Sequence, residues 1–368
     1  MNRPVRVGVI GAGNIVQRLH LPTLRQLENV ELTALAEANP ERLRECVATF
    51  GFAQGHTDYQ AMLDQGGLDA VLVAAPNVLH APATIAALEA GCHVLVEKPM
   101  ATSGADAQRM ADVARAQGRT LTINLPRRFS GHYRAARALL DEGAAGQIYA
   151  ANAAIVRRSG IPGYGSWFTT AALSGGGALL DVGVHILDVA LWLLNEPRVL
   201  AVSATVGDRL GRAGRGLGRW GIDRAAVGTF DVEDSVNAQL RCADGLSITL
   251  EVSWAAYAPI LHGVRLLGTE GGIVVDERRH LGGSVELHTD SSRGPTITQP
   301  EVSPESPPAG QQPLRGFIDS IRTGAPPPVP AEAGVRLARL CDAIYASART
   351  GREVRLDESG AETGGMNA

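Results

Sequence analysis

Little in this chain assigns it at first sight. Its four cysteines, Cys46, Cys92, Cys242 and Cys341, are scattered and form no CxxC pair. That spacing argues against structural zinc and against a disulfide framework, and it fits a reducing cytoplasm. No metal site is expected. The formal net charge is only -4 over 368 residues, which gives no support for binding nucleic acid or a membrane surface. No apolar run reads as long enough for a membrane span. The opening residues, MNRPVRVGVIG, enter a strand-like run at once, so no signal peptide is expected before them. What remains is a globular profile of ordinary composition, 45% hydrophobic and 20% charged. The length allows two domains with sizeable cores.

Strand and helix patterns alternate through the first third. Val5 to Ile10, Val30 to Ala36, Ala70 to Ala74, His93 to Glu97 and Thr120 to Asn124 read as strands. Leu19 to Leu27, Pro40 to Phe50, Pro82 to Glu89 and Ser103 to Gln117 read as helices. Such alternation predicts a parallel sheet covered on both faces. After about Asn124 the pattern changes. A helix at Tyr133 to Glu142 leads to strands at Ile148 to Val156, Val199 to Thr205, Ser235 to Cys242, Leu246 to Trp254 and Val264 to Gly268. Few helices intervene, which predicts a mostly antiparallel sheet. The expected organisation is a dinucleotide-binding domain over 1–124, an α+β domain over 125–358, and a disordered tail over 359–368. The glycine- and arginine-rich stretch 207–224 is expected to be a mobile loop. Pro295 to Pro313 reads as an irregular connection, and Glu332 to Arg349 as a late helix.

VRVGVIGAGNIVQRLH sets Gly11 and Gly13 between a strand and a helix. Glycine there lets the backbone turn tightly and lets a pyrophosphate approach the helix N-terminus. Val16 stands where the fingerprint has a small residue, so the reading rests on context. Glu37 supplies that context, at the end of the second strand, where an acid can bind both ribose hydroxyls. HVLVEKPMA places Glu97, Lys98 and Pro99 at the carboxyl end of another strand, the edge where parallel sheets bind ligands. Proline constrains Lys98 to an extended conformation and permits a cis bond. AAPNVLH offers Asn77 and His80 to the same edge, although both also suit turn and cap positions.

The segment GGGALLDVGVHILDVALWLL, 175–194, is apolar after its glycines except for Asp181, His185 and Asp188. At about 100° per residue these three fall within roughly 60° of one another on a helix. A helix apolar nearly all round is buried, and buried ionisable groups must pair or face a cavity. A satisfied internal His–Asp pair and a catalytic stripe facing a cleft both remain open on this segment alone.

The motifs together resemble the Gfo/Idh/MocA oxidoreductases, the family of glucose–fructose oxidoreductase, inositol dehydrogenase and the rhizopine-catabolism proteins. The resemblance is carried by VGVIGAGNI with HLPTL, AAPNVLH, EKP, NLPRRF, WFTTAALSGGGALLDVGVHILD, FDVEDSV and LLGTEGG, and it covers nearly the whole chain. It implies a Rossmann domain followed by an α+β domain with a large open sheet, often used for oligomer contacts. It implies NAD as cofactor, with NADP disfavoured by Glu37. By that resemblance Lys98 touches the substrate hydroxyl near the nicotinamide, His185 takes the hydroxyl proton, and Asp181 orients the substrate or the imidazole. Asp188 becomes structural support. Gly183 lets the helix approach the cofactor or the sheet.

The cofactor-binding candidates are therefore Gly11, Gly13, Asn14, Ile15, Glu37, Arg42, Pro76, Asn77, His80, Glu97 and Lys98. Asp181, His185, Arg128, Tyr164, Trp167 and Arg157 are the substrate-pocket candidates. The implied activity is hydride transfer between NAD and a sugar, cyclitol or related polyol, in a homodimer or homotetramer. Two other functions stay open. One is a redox-neutral enzyme that cleaves glycosides through transient oxidation. The other is a non-catalytic, dinucleotide-sensing regulator, which would have no need to keep Lys98, Asp181 and His185 together.

Overall fold

The computed structural model describes residues 3–218, 228–278 and 282–357. The chain forms two compact units. The first comprises Met1–Pro126, Ala172–Gly175 and Gly310–Ala338, and the second Arg127–Ala171, Gly176–Ala309 and Arg339–Ala368. The expected boundary near 124 thus falls close to the first break, but the later region is not one continuous block, because residues 310–338 belong to the first unit.

The first unit contains β1 (Val5–Ile10), β2 (Val30–Ala36), β3 (Gln54–His56), β4 (Ala70–Val73), β5 (His93–Val96) and β6 (Leu121–Ile123). They make a six-stranded sheet in the order β3-β2-β1-β4-β5-β6, and every pair is parallel. The strand order reverses between β1 and β4. Such a switch point opens a crevice at the carboxyl ends of the strands. The inner strands are apolar runs because helices cover both faces; all four residues of β4 are buried. The helix Pro40–Phe50 starts on Asn39, whose side chain accepts from the Glu41 and Arg42 amides, and it stops at left-handed Gly51. The sequence reading lacked the amphipathic helix Gln312–Thr323. Its Leu314, Phe317, Ile318 and Ile321 join the same core as Val5, Val7 and Val9.

The second unit is built on β7 (Ile148–Val156), β8 (Val199–Gly207), β9 (Ser235–Cys242), β10 (Ser247–Ser253), β11 (Leu261–Gly268), β12 (Gly272–Asp276), β13 (Ser284–Ser291), β14 (Gly294–Thr298) and β15 (Val354–Arg355). The nine-stranded order is β14-β13-β12-β11-β7-β10-β9-β8-β15. The β7–β10 pair is parallel; the others are antiparallel. Strand β14 occupies part of the stretch read as irregular from Pro295. Residues 207–218, expected to be mobile, include the end of β8 and a short helix at Arg209–Arg212. The Gly211 amide there donates to the Asp234 carboxylate at 2.7 Å. Residues 219–224 of that stretch, and the tail expected over 359–368, lie outside the described residues.

Two further expectations need correction. Ala171–Leu193 is long and apolar enough, by length and composition, to cross a membrane, contrary to the reading of the sequence. Within the protein 83% of its apolar window is buried, as in a core helix. The resemblance also implies an open sheet used for oligomer contacts, and LSITLEVSW alternates as a strand with one apolar face that something must cover. Ile248, Leu250 and Val252 are instead buried within this chain, where the turn at Leu179–Gly183 packs on β10. The opposite face of β9 and β10 carries exposed Asn237, Gln239, Arg241 and Thr249.

Candidate active site

In the first unit, β1 runs straight into the glycine loop. Gly11 has φ +93°, and a Cβ there would stand 2.5 Å from the Ala74 carbonyl oxygen, so only glycine fits the turn. At Gly13 nothing lies within 4 Å of a Cβ position, which leaves the loop open on the side a pyrophosphate would occupy. Ile15, 44% exposed, stands beside it. Val16 is fully buried at the start of a π turn, Val16–His20, so the larger residue is accommodated where the fingerprint has a small one.

Glu37 ends β2 with its carboxylate anchored. Oε2 accepts from the Ala12 amide at 2.8 Å and Oε1 from the Asn39 amide at 2.9 Å. Arg42 Nη1 lies 3.6 Å from Oε1. A carboxylate offers about four acceptor positions, so two remain for ribose hydroxyls. Open space at Gly13, the forced turn at Gly11 and the anchored Glu37 together fit a dinucleotide.

The Lys98 edge is held from beneath. Glu97 is buried and accepts from the Lys98 amide at 3.1 Å. His20 Nε2 lies 2.7 Å from its Oε1, and Asn124 Nδ2 donates to that oxygen at 2.6 Å. Burial pushes the Glu97 carboxyl up, but His20, Lys98 and Asn124 together outweigh it and hold the group below its ordinary value. The Lys98–Pro99 bond is cis. On its far side His80 Nδ1 lies 2.7 Å from the Pro99 carbonyl oxygen and Nε2 lies 2.9 Å from that of Ala75. Burial pushes this imidazole down. Asn77, next to Pro76, donates to the Ser174 carbonyl at 2.9 Å. Glu97, His80 and Asn77, expected as cofactor contacts, thus have inward partners that shape the edge.

In the second unit, the FDVEDSV segment holds the start of the polar-striped helix. Glu233 accepts from the amides of Gly177 at 2.8 Å and Leu179 at 2.9 Å, and from the Tyr345 hydroxyl at 3.0 Å. A Cβ on Gly177 would run into the Glu233 carbonyl, so this approach requires glycine. Burial pushes the Glu233 carboxyl up, and the Leu179 and Gly177 amides pull the other way. The helix then opens as a π turn over Leu179–Gly183 before the α-helix Val184–Leu193. A π turn carries an extra residue, so the 100° spacing that put Asp181, His185 and Asp188 on one face does not apply across it. A Cβ on Gly183 would meet Val252 of β10 at 3.3 Å, so the sheet stands close at this glycine.

The three polar residues part company. Asp188 is fully buried and receives Arg128 through Nε at 3.1 and 3.0 Å and Nη2 at 2.5 Å. Arg128 also reaches Glu196 at 3.0 Å. Asp188 and Arg128, the latter expected in the substrate pocket, thus form a buried ion pair. Asp181 is buried and accepts from the Trp254 indole at 2.8 Å. Between Gly176 and Leu191, His185 alone is half-buried, and every other residue is buried. Tyr164 is buried, with its hydroxyl donating to the Arg215 carbonyl at 2.7 Å. Trp167 is half-buried and stacks on Phe168 at 3.7 Å. The Arg157 amide joins the Ser253 carbonyl at 3.0 Å. Sequence reasoning missed Trp254, Tyr345 and the capping role of Glu233. Among the described residues, no group of three or more His, Cys, Asp or Glu could hold a metal.

This fold, with its glycine loop and its anchored acid, defines a dinucleotide-dependent oxidoreductase. Residues 5–125 match the oxidoreductase family with an NAD-binding Rossmann fold, and residues 133–274 match the GFO/IDH/MocA C-terminal domain. The chain belongs to the Gfo/Idh/MocA family, and it is an NAD-dependent oxidoreductase. It is 32% identical over 356 residues to D-glucoside 3-dehydrogenase of Escherichia coli, covering 96% of this chain and 98% of that one. It is 25% identical to myo-inositol 2-dehydrogenase of Thermotoga maritima, over 96% of this chain and 99% of the other. A levoglucosan dehydrogenase solved with NADH and L-sorbose superposes with a TM-score of 0.81 at 25% identity, over 96% and 99% of the two chains.

Proposed function

We propose that this protein oxidises a secondary hydroxyl of a sugar, cyclitol or related polyol, or reduces the matching ketone. The observation that carries this reading is His185, the one half-buried residue in an otherwise buried stretch, set one turn from Asp181. Relatives named for glucosides, inositol and levoglucosan supply the substrate class.

When bound, NAD supplies the hydride acceptor. Gly11, Gly13, Asn14 and Ile15 line its loop, and Glu37 takes the ribose hydroxyls. Lys98 hydrogen-bonds the reacting hydroxyl. His185 removes the hydroxyl proton as the carbon–hydrogen bond breaks, the task of a general base. Asp181 orients the substrate or the imidazole, and Trp167 contributes to the sugar pocket.

A panel of D-glucosides, levoglucosan and inositols, assayed for NADH formation with cofactor content measured first, tests the substrate class. At least one should give NADH. No turnover with any of them, nor with keto-sugars and NADH, would overturn it.

We further infer a cytoplasmic homodimer or homotetramer. The family resemblance supports self-association, as do exposed Tyr149, Leu267 and Ile297 on β7, β11 and β14. Light scattering at micromolar concentration should give a multiple of the chain mass. A monomer would contradict it.

A further inference from the structure

We propose that Trp254 is a positioning residue for this reaction, its indole N–H fixing the Asp181 carboxylate in its working orientation. The inference rests on the role given to Asp181 above. Trp254 immediately follows β10 and is fully buried. Its backbone amide donates to the Asp234 carbonyl at 2.8 Å, so the residue is tied at both ends. Its side chain donates to Asp181 Oδ2 at 2.8 Å.

The chemistry of the pair is one-sided. An indole nitrogen only donates. It can hold a carboxylate but cannot take a proton from it or relay one. A donor on a carboxylate also favours the ionised form. Asp181 sits in the π turn Leu179–Gly183, and its amide donates to the Gly177 carbonyl at 3.0 Å, a bond that leaves the side-chain direction to other contacts. Strand β10 makes up for this at two places: Val252 packs where Gly183 has no side chain, and Trp254, two residues on, binds the acid itself. The turn is thereby pinned to the sheet as well as to its Glu233 cap.

The test is Trp254→Phe, which keeps an aromatic ring, though a smaller one, and removes the N–H. The substrate is whichever of a D-glucoside, levoglucosan or myo-inositol the wild-type protein oxidises fastest. The variant should bind NAD as the wild type does. It should lose about tenfold in kcat, as expected for one charge-assisted hydrogen bond. The acid limb of its kcat/KM profile should move to higher pH, because the carboxylate has lost a donor. In an Asp181→Asn background the same substitution should add no further loss. Unchanged kcat and pH profile in Trp254→Phe, with Asp181→Asn inactive, would overturn the role of Trp254 and leave that of Asp181. Full activity in Asp181→Asn would overturn the reading of Asp181 itself. A kcat loss that tracks a lower folded fraction, with the acid limb unmoved, would reduce Trp254 to a packing residue and also count against the proposal.

Discussion

His185→Ala is expected to fold, bind NAD with wild-type affinity, and lose about 10²- to 10⁴-fold in kcat, the usual range for a general acid–base group. The position explains why folding should survive. His185 lies on the half-buried side of a helix whose packing comes from Val184, Ile186, Leu187 and Val189, all buried. Its start is held by Glu233 and its middle by the Asp188–Arg128 pair. These contacts are made by other side chains than the imidazole. Lys98→Ala should behave alike, because the edge beneath it is also held by Glu97, His20, Asn124 and His80. Steady-state kinetics across pH, with NAD binding measured separately, checks both. Near-normal kcat in His185→Ala at every pH would make the histidine structural.

NAD should be used in preference to NADP by about thirtyfold in kcat/KM. Glu37 is anchored by the Ala12 and Asn39 amides, so it cannot swing clear of an incoming 2′-phosphate. Two unit charges about 4 Å apart repel by about 4 kcal/mol at an effective dielectric near 20, before solvent and movement reduce it. Half of that corresponds to about thirtyfold, at roughly 1.4 kcal/mol per factor of ten. Arg42 is placed to offset this by bridging to the phosphate, but its guanidinium already lies 3.6 Å from the Glu37 carboxylate. Glu37→Ala should therefore bring the two cofactors close to parity and release Arg42 toward the phosphate. Equal use of both by the wild type, or an unchanged ratio in the variant, would show that Glu37 does not read the ribose.

Much of the first unit was legible because its strands are short apolar runs with clear breakers. Val30–Ala36 and Pro40–Phe50 have the bounds their patterns predict, and so do Ile148–Val156 and Ser235–Cys242 in the second unit. The helix Gln312–Thr323 escaped notice behind a proline-rich approach. Its 314, 317, 318 and 321 spacing was nevertheless a usable helical signal. Strands β13 and β14 were missed for a different reason. SVELHTDS and GPTIT are largely polar, and the brief alternation around Val285 and Leu287 is a weak mark of a half-buried strand.

The site was legible where chemistry is local and illegible where it is not. Gly11, Gly13 and Glu37 announce themselves by spacing from β1 and β2. The stripe of Asp181, His185 and Asp188 stands out against its apolar surroundings, but a single angular step could not foresee the π turn between its first two members. Nor could any local pattern show that Asp181 meets Trp254 across 73 positions, or that Asp188 meets Arg128 across 60. Those pairings depend on the sheet and helix being in place.

The most direct test of the central claim is the ratio of NADH formed to sugar or cyclitol consumed by the purified protein, starting from added NAD. A dehydrogenase with the proposed roles for Lys98, Asp181 and His185 gives NADH and ketone in equal amounts. Substrate consumed without net NADH would contradict it, and would point to chemistry in which the cofactor returns to its starting state within each turnover.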